Sequence, residues 1–355
     1  MIEALKKIGE CFCIAGDFTA YEQMTNGNIN STYKVLYSDA EGVRAYVFQR
    51  INQNVFKKPV EIMQNIDLVT SHLLSKGARS LHFYHTQTGE NYWFDADGGF
   101  WRVMDFVDSI TFNTCEDAET VTMVGEAFGE FQMQLADLDG ARLYETIPDF
   151  HNTPKRFEHL DAAVAADRVG RVCEVQAELE ALSGLRARAC SLCERYAAGA
   201  FPVRVAHNDT KANNVLFDKN TLRPLVVIDL DTVMPGMAMY DFGDAVRFIC
   251  NTAKEDEADL SKVSFDEEKF RAFAKGYIGQ VRDALTAEEL DSLVLGALSA
   301  TVELVVRFLD DYLDGDRYFK VLSPDHNLIR TRCQLALAQD IVSKYDRLQA
   351  IVKEC

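Results

Sequence analysis

Hydrophobic positions in the first hundred residues mostly follow the two-residue alternation of β-strands. Two alternating segments, residues 33–37 and 45–49, flank the turn-forming stretch 38–42 and predict a hairpin. Apolar residues spaced by four and three between positions 62 and 73 predict a helix that ends before Gly77. Three more short strands are predicted over residues 80–86, 91–94 and 100–107. The predicted element order is therefore β-β-α-β-β-β.

The pattern changes after residue 108, where apolar positions recur with helical spacing over residues 121–138. Further helices are predicted at about 156–199, 266–278, 287–313 and 330–353, and extended segments only at 203–206, 215–217 and 225–228. A chain of 355 residues is also longer than the ~250–300 residues that a single core usually serves. We predict an α+β, bilobal protein with a small β-rich N-lobe (residues 1–107) and a larger helical C-lobe (residues 108–355).

Composition and charge narrow the classes of partner. With 48% hydrophobic and 26% charged residues, the chain should fold throughout. A net charge of −18 disfavours nucleic acid and membrane surfaces as partners, so an anionic ligand would need metal ions, backbone amides or a few placed cations. The nine cysteines form no zinc-ligand pattern and are expected to be reduced thiols. With no apolar segment of signal or membrane-span length, we expect a cytoplasmic protein.

The most informative motif is His207-x-Asp209-x-Lys211-x-x-Asn214, which lies between two predicted extended segments. This is the spacing of a kinase catalytic loop, in which Asp accepts the proton of the acceptor hydroxyl and Asn binds Mg²⁺. A lysine two residues after the aspartate suits the stabilisation of a transferring phosphoryl group. Without its flanking strands, the same polar run would equally describe a solvated loop.

A second motif follows at the end of the strand predicted over 225–228, where Asp229 and Asp231 stand two residues apart. Carboxylate oxygens are the ligands that a nucleotide-bridging Mg²⁺ prefers. We therefore predict Asp229 as a metal ligand beside Asn214, with Asp231 as a helper. Asp241-Phe-Gly resembles the metal-binding triplet of protein kinases but lies too far along the chain, and we predict that Asp241 caps a helix or supports the catalytic loop from behind.

Residues 26–32 are predicted to form the first hairpin turn, where kinases place a loop whose amides cover the phosphates. Gly27, Asn30 and Thr32 are the candidate nucleotide-binding residues of this loop. A plain β-turn explains the same residues equally well.

These motifs resemble those of the aminoglycoside phosphotransferase and choline kinase superfamily. Within it the chain is very similar to bacterial N-acetylhexosamine 1-kinases, a likeness that runs nearly end to end and includes Phe100-Trp-Arg-Val103, Asp241-Phe-Gly-Asp244 and residues 27–33, 307–313 and 324–332. The resemblance implies an ATP- and Mg²⁺-dependent kinase that phosphorylates the anomeric C1 hydroxyl of N-acetylglucosamine or N-acetylgalactosamine. It also implies a monomer or weak homo-oligomer whose partners are the sugar and ATP.

Several site residues follow from this resemblance alone. The sugar would be held by Asp209, Asn28, Arg307 and Tyr318, although a histidine can stand at position 28 in the family. Backbone groups of Asp105, Phe106 and Val107 would meet adenine. Against a binding role, Glu303, Arg307 and Asp311 are spaced as an exposed ion-pair ladder on a helix, and Tyr318 would be an ordinary partly buried aromatic.

The chain departs from the kinase pattern at the strand lysine that usually contacts the phosphates. By alternation, Gln49 takes that position and Arg50 points away. Two alternatives therefore stay open: a kinase for a cationic acceptor such as an aminoglycoside, choline or another amino alcohol, and a nucleotide-binding pseudokinase.

Overall fold

A computed structural model describes residues 1–25 and 29–355. The chain forms two compact units, each built from separate stretches of sequence. Unit 1 contains Met1–Ile110, Ala141–Pro148 and Leu216–Met234, and unit 2 contains Thr111–Gly140, Asp149–Val215 and Pro235–Cys355. The lobe boundary that we place after residue 107 stays a prediction.

The described residues up to Ile110 form two helices and five strands, in the order α1 (Ile2–Cys11), β1 (Asp17–Met24), β2 (Ser31–Asp39), β3 (Gly42–Arg50), α2 (Pro59–Ser75), β4 (Trp93–Phe94) and β5 (Phe100–Asp105). The strands form one antiparallel sheet in the order β1-β2-β3-β5-β4. The predicted hairpin and the helix that follows it are confirmed. The strand predicted at 80–86 is wrong, because this segment forms only an isolated bridge through Phe83.

The remaining elements follow in the order α3 (Ala118–Gln134), α4 (Thr153–Ala166), α5 (Gln176–Ala197), β6 (Arg204–Ala206), β7 (Val215–Phe217), β8 (Pro224–Val227), β9 (Met234–Gly236), α6 (Ala238–Ile249), α7 (Glu267–Val281), α8 (Ala287–Asp291), α9 (Leu293–Asp314) and α10 (His326–Glu354). The helical spacing after residue 108 is confirmed. The single helix expected over 156–199 is in fact two, because Asp167 ends α4 in a left-handed conformation.

The core of unit 1 lies against one face of its sheet. Tyr33, Val35 and Tyr37 of β2 and Tyr46 and Phe48 of β3 are buried in one cluster with the apolar side of α1. The alternation that predicted the hairpin therefore reflects one buried face. Helix α1 and strand β1 were not predicted.

The opposite face of the sheet carries a polar row across three strands. Thr32 of β2 pairs in register with Gln49 of β3, and Gln49 pairs in register with Arg102 of β5. Because partners in register share a face, their side chains meet on the side away from the core. Gln49 thus lies opposite the buried Phe48 face, as alternation predicted.

Unit 2 depends on close helix crossings made possible by glycine. A Cβ added at Gly125 of α3 would lie 2.4 Å from the backbone oxygen of Phe273 in α7, and one added at Gly276 would lie 2.2 Å from that of Thr122. Helix α9 is buried along most of its length and packs against α4, α5, α6 and α10. Over the ranges 1–25 and 29–355, no helix is long and apolar enough to cross a membrane.

Candidate active site

The catalytic-loop motif lies in unit 2, directly after β6. The His207 ring is fully buried, edge-on to Phe128 and Phe131 of α3 at 5.7 Å from each ring centre. Asn208 has a left-handed backbone with φ 64°, and its side-chain amide donates to the carbonyl of Ala206 at 3.2 Å. The loop therefore leaves the strand through a sharp turn that Asn tolerates better than most residues.

Asp241, in the first turn of α6, supports this loop from behind. Its carboxylate accepts the backbone N–H groups of His207 and Asn208 at 2.8 and 2.7 Å, and its carbonyl accepts the Thr210 hydroxyl at 2.5 Å. The prediction that Asp241 supports the loop is confirmed. The capping alternative is wrong, since α6 begins after Met237 without a side-chain cap.

Asp209, Lys211 and Asn214 come together around one carboxylate. The Asn214 amide donates to the Asp209 carbonyl at 2.8 Å and to its Oδ2 at 3.1 Å, and the Lys211 ammonium lies 2.6 Å from its Oδ1. Because the Asn214 Nδ2 is directed at Asp209, the Oδ1 of Asn214 points away from Asp209. A base, a cation and an amide oxygen are the groups that phosphoryl transfer requires.

Charge around Lys211 keeps it protonated. Burial by itself would lower the pKa of the Lys211 ammonium, but the carboxylates of Asp209 and Asp244 outweigh burial and raise its pKa above the usual value. Burial would likewise raise the pKa of Asp244, yet Arg247 and Lys211 outweigh it and lower that pKa. The two effects make Lys211 a permanent positive charge beside Asp209.

In unit 1, the predicted metal ligand Asp229 lies just after β8, in a left-handed conformation with φ 60° and ψ 57°. The second predicted ligand, Asp231, is only 2% exposed. Its Oδ1 accepts from the Arg102 guanidinium and its Oδ2 accepts from the Asn30 amide at 2.9 Å. A metal role for Asp231 would require it to give up these donors.

No cluster of three or more His, Cys, Asp or Glu side chains that could hold a metal ion occurs in the described part of the chain. The predicted donors are instead an amide oxygen and one or two carboxylates. That set suits Mg²⁺, which usually takes one or two carboxylates and completes its shell with water and phosphate oxygens. The residues present therefore fit this ion.

Two of the predicted nucleotide- and sugar-binding residues, Gly27 and Asn28, lie outside the described residues. Of the nucleotide-binding candidates, Asn30, Thr32 and Gln49 lie in unit 1. Asn30 accepts the backbone N–H of Asn52 at 2.9 Å, and Thr32 accepts from the Gln49 amide at 3.0 Å.

The segment predicted to meet adenine begins at Asp105, the last residue of β5. Asp105 accepts the Tyr84 hydroxyl at 2.8 Å, and the Lys34 ammonium lies 4.0 Å from the centre of the Phe106 ring. The Val107 carbonyl accepts from Ser109 at 3.0 Å.

Arg307 and Tyr318, predicted to bind sugar, are brought together in unit 2. The Arg307 guanidinium lies 5.9 Å from the centre of the Tyr318 ring and 5.5 Å from that of Phe319. Buried Asp311 accepts the backbone N–H groups of residues 317, 318 and 319 at 2.8–3.0 Å and so holds the turn that carries both rings. Tyr318 is 74% exposed, so its interpretation as a partly buried aromatic is wrong.

The alternative of an exposed ion-pair ladder through Arg307 is also wrong. Glu303 is buried, and one of its oxygens lies 3.2 Å from the His151 ring Nδ1. Burial favours the neutral ring, but the Glu303 carboxylate outweighs burial and raises the pKa of His151. With Asp311 bound to backbone amides, both carboxylates of the supposed ladder have other partners.

The residues that sequence reasoning missed are Arg102, Asn65 and His151. Arg102 belongs to the motif Phe100-Trp-Arg-Val103, and a cation between apolar residues of a predicted strand was the signal that could have found it. Asn65 of α2 is buried and bonds Tyr144 and Val233 through its side chain. Neither Asn65 nor His151 stands in a pattern that sequence alone distinguishes from an ordinary core position.

The fold is similar to those of several solved kinases. A microcompartment-associated aminopropanol kinase matches with a TM-score of 0.66 and 18% identity, over 97% of this chain and 98% of that one. Choline kinase from Cryptosporidium parvum matches with a TM-score of 0.57 and 15% identity, over 98% and 97%. An amicoumacin kinase in complex with AMP-PNP and Ca²⁺ matches with a TM-score of 0.59 and 13% identity, over 97% and 93%.

At these identities the likeness concerns the fold, and it confirms the predicted class, a small antiparallel-sheet N-lobe and a larger helical C-lobe. The family relationship is established by the amino-acid sequence. A model of the phosphotransferase enzyme family matches residues 20–277, well over half of the chain. The chain therefore belongs to the phosphotransferase enzyme family, within the aminoglycoside phosphotransferase and choline kinase superfamily that its motifs predicted.

Proposed function

We propose that this phosphotransferase uses ATP to phosphorylate the anomeric C1 hydroxyl of an N-acetylhexosamine, N-acetylglucosamine or N-acetylgalactosamine, to give the sugar 1-phosphate. The observation that carries phosphoryl transfer is the grouping of Asp209, Lys211 and Asn214 on a loop fixed by Asp241. The sugar as acceptor rests on the end-to-end resemblance and on the surface at Arg307 and Tyr318.

Asp209 acts as the base. It orients the attacking hydroxyl and takes its proton as the sugar oxygen bonds to the γ-phosphorus and the bond to ADP breaks. Lys211, held protonated by its carboxylate neighbours, offsets the charge on the transferred phosphoryl group. Most of the rate enhancement then comes from positioning and electrostatics.

Asn214 and Asp229 are the proposed Mg²⁺ ligands, and Asp231 is proposed as the helper of Asp229 from the same turn. When bound, the ion would neutralise phosphate charge, which an acidic protein needs to hold ATP. For the nucleotide we propose the turn with Gly27, Asn30 and Thr32, the strand residue Gln49, and backbone groups of residues 105–107.

Arg307, Tyr318 and Asn28 are the proposed sugar contacts. An exposed aromatic ring on a fixed turn offers an apolar face, and a guanidinium offers several donors for hydroxyl and acetyl oxygens. The same arrangement argues against a cationic acceptor, because Arg307 is positive while Glu303 and Asp311 already have partners within the protein.

A second candidate is a kinase for an amino alcohol or aminoglycoside. It is favoured by the net charge of −18 and by the named activities of the solved kinases with this fold. A coupled ADP-release assay over N-acetylhexosamines, choline, aminopropanol and an aminoglycoside separates the two. Turnover of the amines alone would refute the sugar proposal, and turnover of neither class would favour a nucleotide-binding pseudokinase.

The position of the phosphate is tested by ³¹P NMR of the product, which should show an anomeric phosphate ester.

Asp209→Asn should lower kcat by about 10²–10⁴-fold, the range for loss of a general base, with ADP affinity preserved. Asp161→Asn, which changes an exposed carboxylate of α4, is the matched control and should keep normal kcat. Retention of most activity in Asp209→Asn would contradict the assignment of the base.

A further inference from the structure

The kinase pattern leaves one structural question open, namely which cation replaces the strand lysine in unit 1. On the strand that should carry it, position 49 is glutamine. The neighbouring strand supplies Arg102, which pairs in register with Gln49 and is only 3% exposed. A buried guanidinium is stable only where its N–H groups are bonded and its charge is paired.

The oxygen partners of Arg102 are Gln49 and Asp231, and its guanidinium also lies 3.8 Å from the Met63 Sδ and 5.7 Å from the centre of the Phe83 ring. The Arg102 Nε donates to the Gln49 Oε1 at 2.8 Å, and its Nη2 donates to the same oxygen. Gln49 is itself fixed by donating to Thr32 at 3.0 Å. The remaining Nη1 bonds the Asp231 carboxylate. The polar row across three strands thus ends on a single aspartate.

The turn that contains Asp231 is held at three points. Asn30 bonds the second oxygen of Asp231, and Asn65 of α2 donates to the carbonyl of Val233 at 2.9 Å. Between β8 and these anchors lies Asp229 in a left-handed conformation. For residues other than glycine such a conformation costs about 1–3 kcal/mol and persists only where the surroundings over-determine it.

We propose that the buried Arg102–Asp231 pair is a positioning device for Asp229, and that it takes the structural place of the missing lysine–glutamate pair. This rests on the proposed function, because Asp229 is there the metal ligand. Arg102 and Asp231 are positioning residues that fix the turn, and Asp229 alone in the turn contributes a carboxylate to the metal.

The test measures metal binding without any sugar. Mn²⁺ replaces Mg²⁺ as the probe, and its affinity for the full-length protein with AMP-PNP is read by electron paramagnetic resonance. Asp231→Asn should weaken Mn²⁺ by about 10–100-fold, the usual cost of losing an outer-shell partner. Affinity for AMP-PNP in EDTA should stay within about twofold of wild type, since the device acts through the metal.

Arg102→Lys separates positioning from direct coordination. A lysine keeps the charge but cannot bridge Gln49 and Asp231 as a planar guanidinium does, so we expect weaker Mn²⁺ binding by about tenfold. If Asp231 were itself a ligand restrained by Arg102, the same substitution would free it, and Mn²⁺ affinity would stay equal or rise. That result would overturn the proposal. Should Asp231→Asn fail to fold, Arg102→Lys decides the question alone.

Glu289→Gln is the matched control, because Glu289 forms another buried carboxylate–arginine pair, with Arg204. It should lose stability and leave Mn²⁺ affinity unchanged. A loss in Asp231→Asn no larger than in this control would reduce Arg102–Asp231 to a stabilising pair and refute the proposal. Asp229→Asn is the reference: if it binds Mn²⁺ like wild type, the metal assignment of the proposed function fails instead.

Discussion

Replacing Asp241 by asparagine gives the sharpest test of how the catalytic loop is held. Both carboxylate oxygens accept backbone N–H groups, from His207 at 2.8 Å and Asn208 at 2.7 Å, and Asp241 is only 4% exposed. An asparagine has one acceptor oxygen and an NH₂ group, so one of the two backbone N–H groups would face another donor. The substitution keeps the shape of the side chain and removes one half of its function.

The size of the effect follows from these two bonds. A hydrogen bond to a charged group contributes about 1.5–3 kcal/mol, and a buried donor left without a partner costs about 1–3 kcal/mol. Since the two terms overlap, we expect the free energy of unfolding to fall by about 2–4 kcal/mol. A shift of the loop would also displace Asp209, and a misplacement near 1 Å can lower kcat by about 10²-fold.

Urea denaturation and Mg·ATP turnover would measure both effects on the same samples. Glu267→Gln is the control, since Glu267 is also an acid in the first turn of a helix but forms an ion pair with Arg347 at the surface. It should change stability by no more than about 0.5 kcal/mol. An Asp241→Asn protein with the urea midpoint of wild type would refute the reasoning.

Three further outcomes are expected. Lys211→Met should lower kcat by about 10²–10³-fold with little change in calorimetric ADP affinity, because in the proposed mechanism its charge acts on the transferred phosphoryl group. The raised pKa of His151 adds stability that is complete below its unfolded value of 6.5 and is lost as pH rises through the folded pKa. Urea titrations of Glu303→Gln across this range should therefore decline less with pH than those of wild type. Gly243→Ala should cost about 1–3 kcal/mol, because its Cβ would lie 2.4 Å from the backbone of α9. Gly279→Ala has nothing within 4 Å and should keep or raise Tm.

Local sequence patterns reveal an element where one of its faces is buried. The β2–β3 hairpin and helices α2, α3, α7 and α10 are visible in the sequence because their buried faces impose a period of two or of three to four residues. Strand β1 has no such signal, since it lies at the edge of the sheet with nearly every residue exposed. Helix α1 did carry one, in the spacing of Leu5, Ile8 and Phe12, all of which are buried.

The sequence by itself determined the family and the fold class, and it predicted the catalytic loop, because these depend on residues at short and fixed spacing along the chain. Only the tertiary structure shows which donors hold Asp231. Asp231 has the same local sequence signal as Asp229, yet its donors come from Asn30 and from Arg102, 201 and 129 residues away. A carboxylate bonded by buried donors helps to hold the turn that carries it. Which donors reach it depends on strand register and burial, which no local spacing encodes.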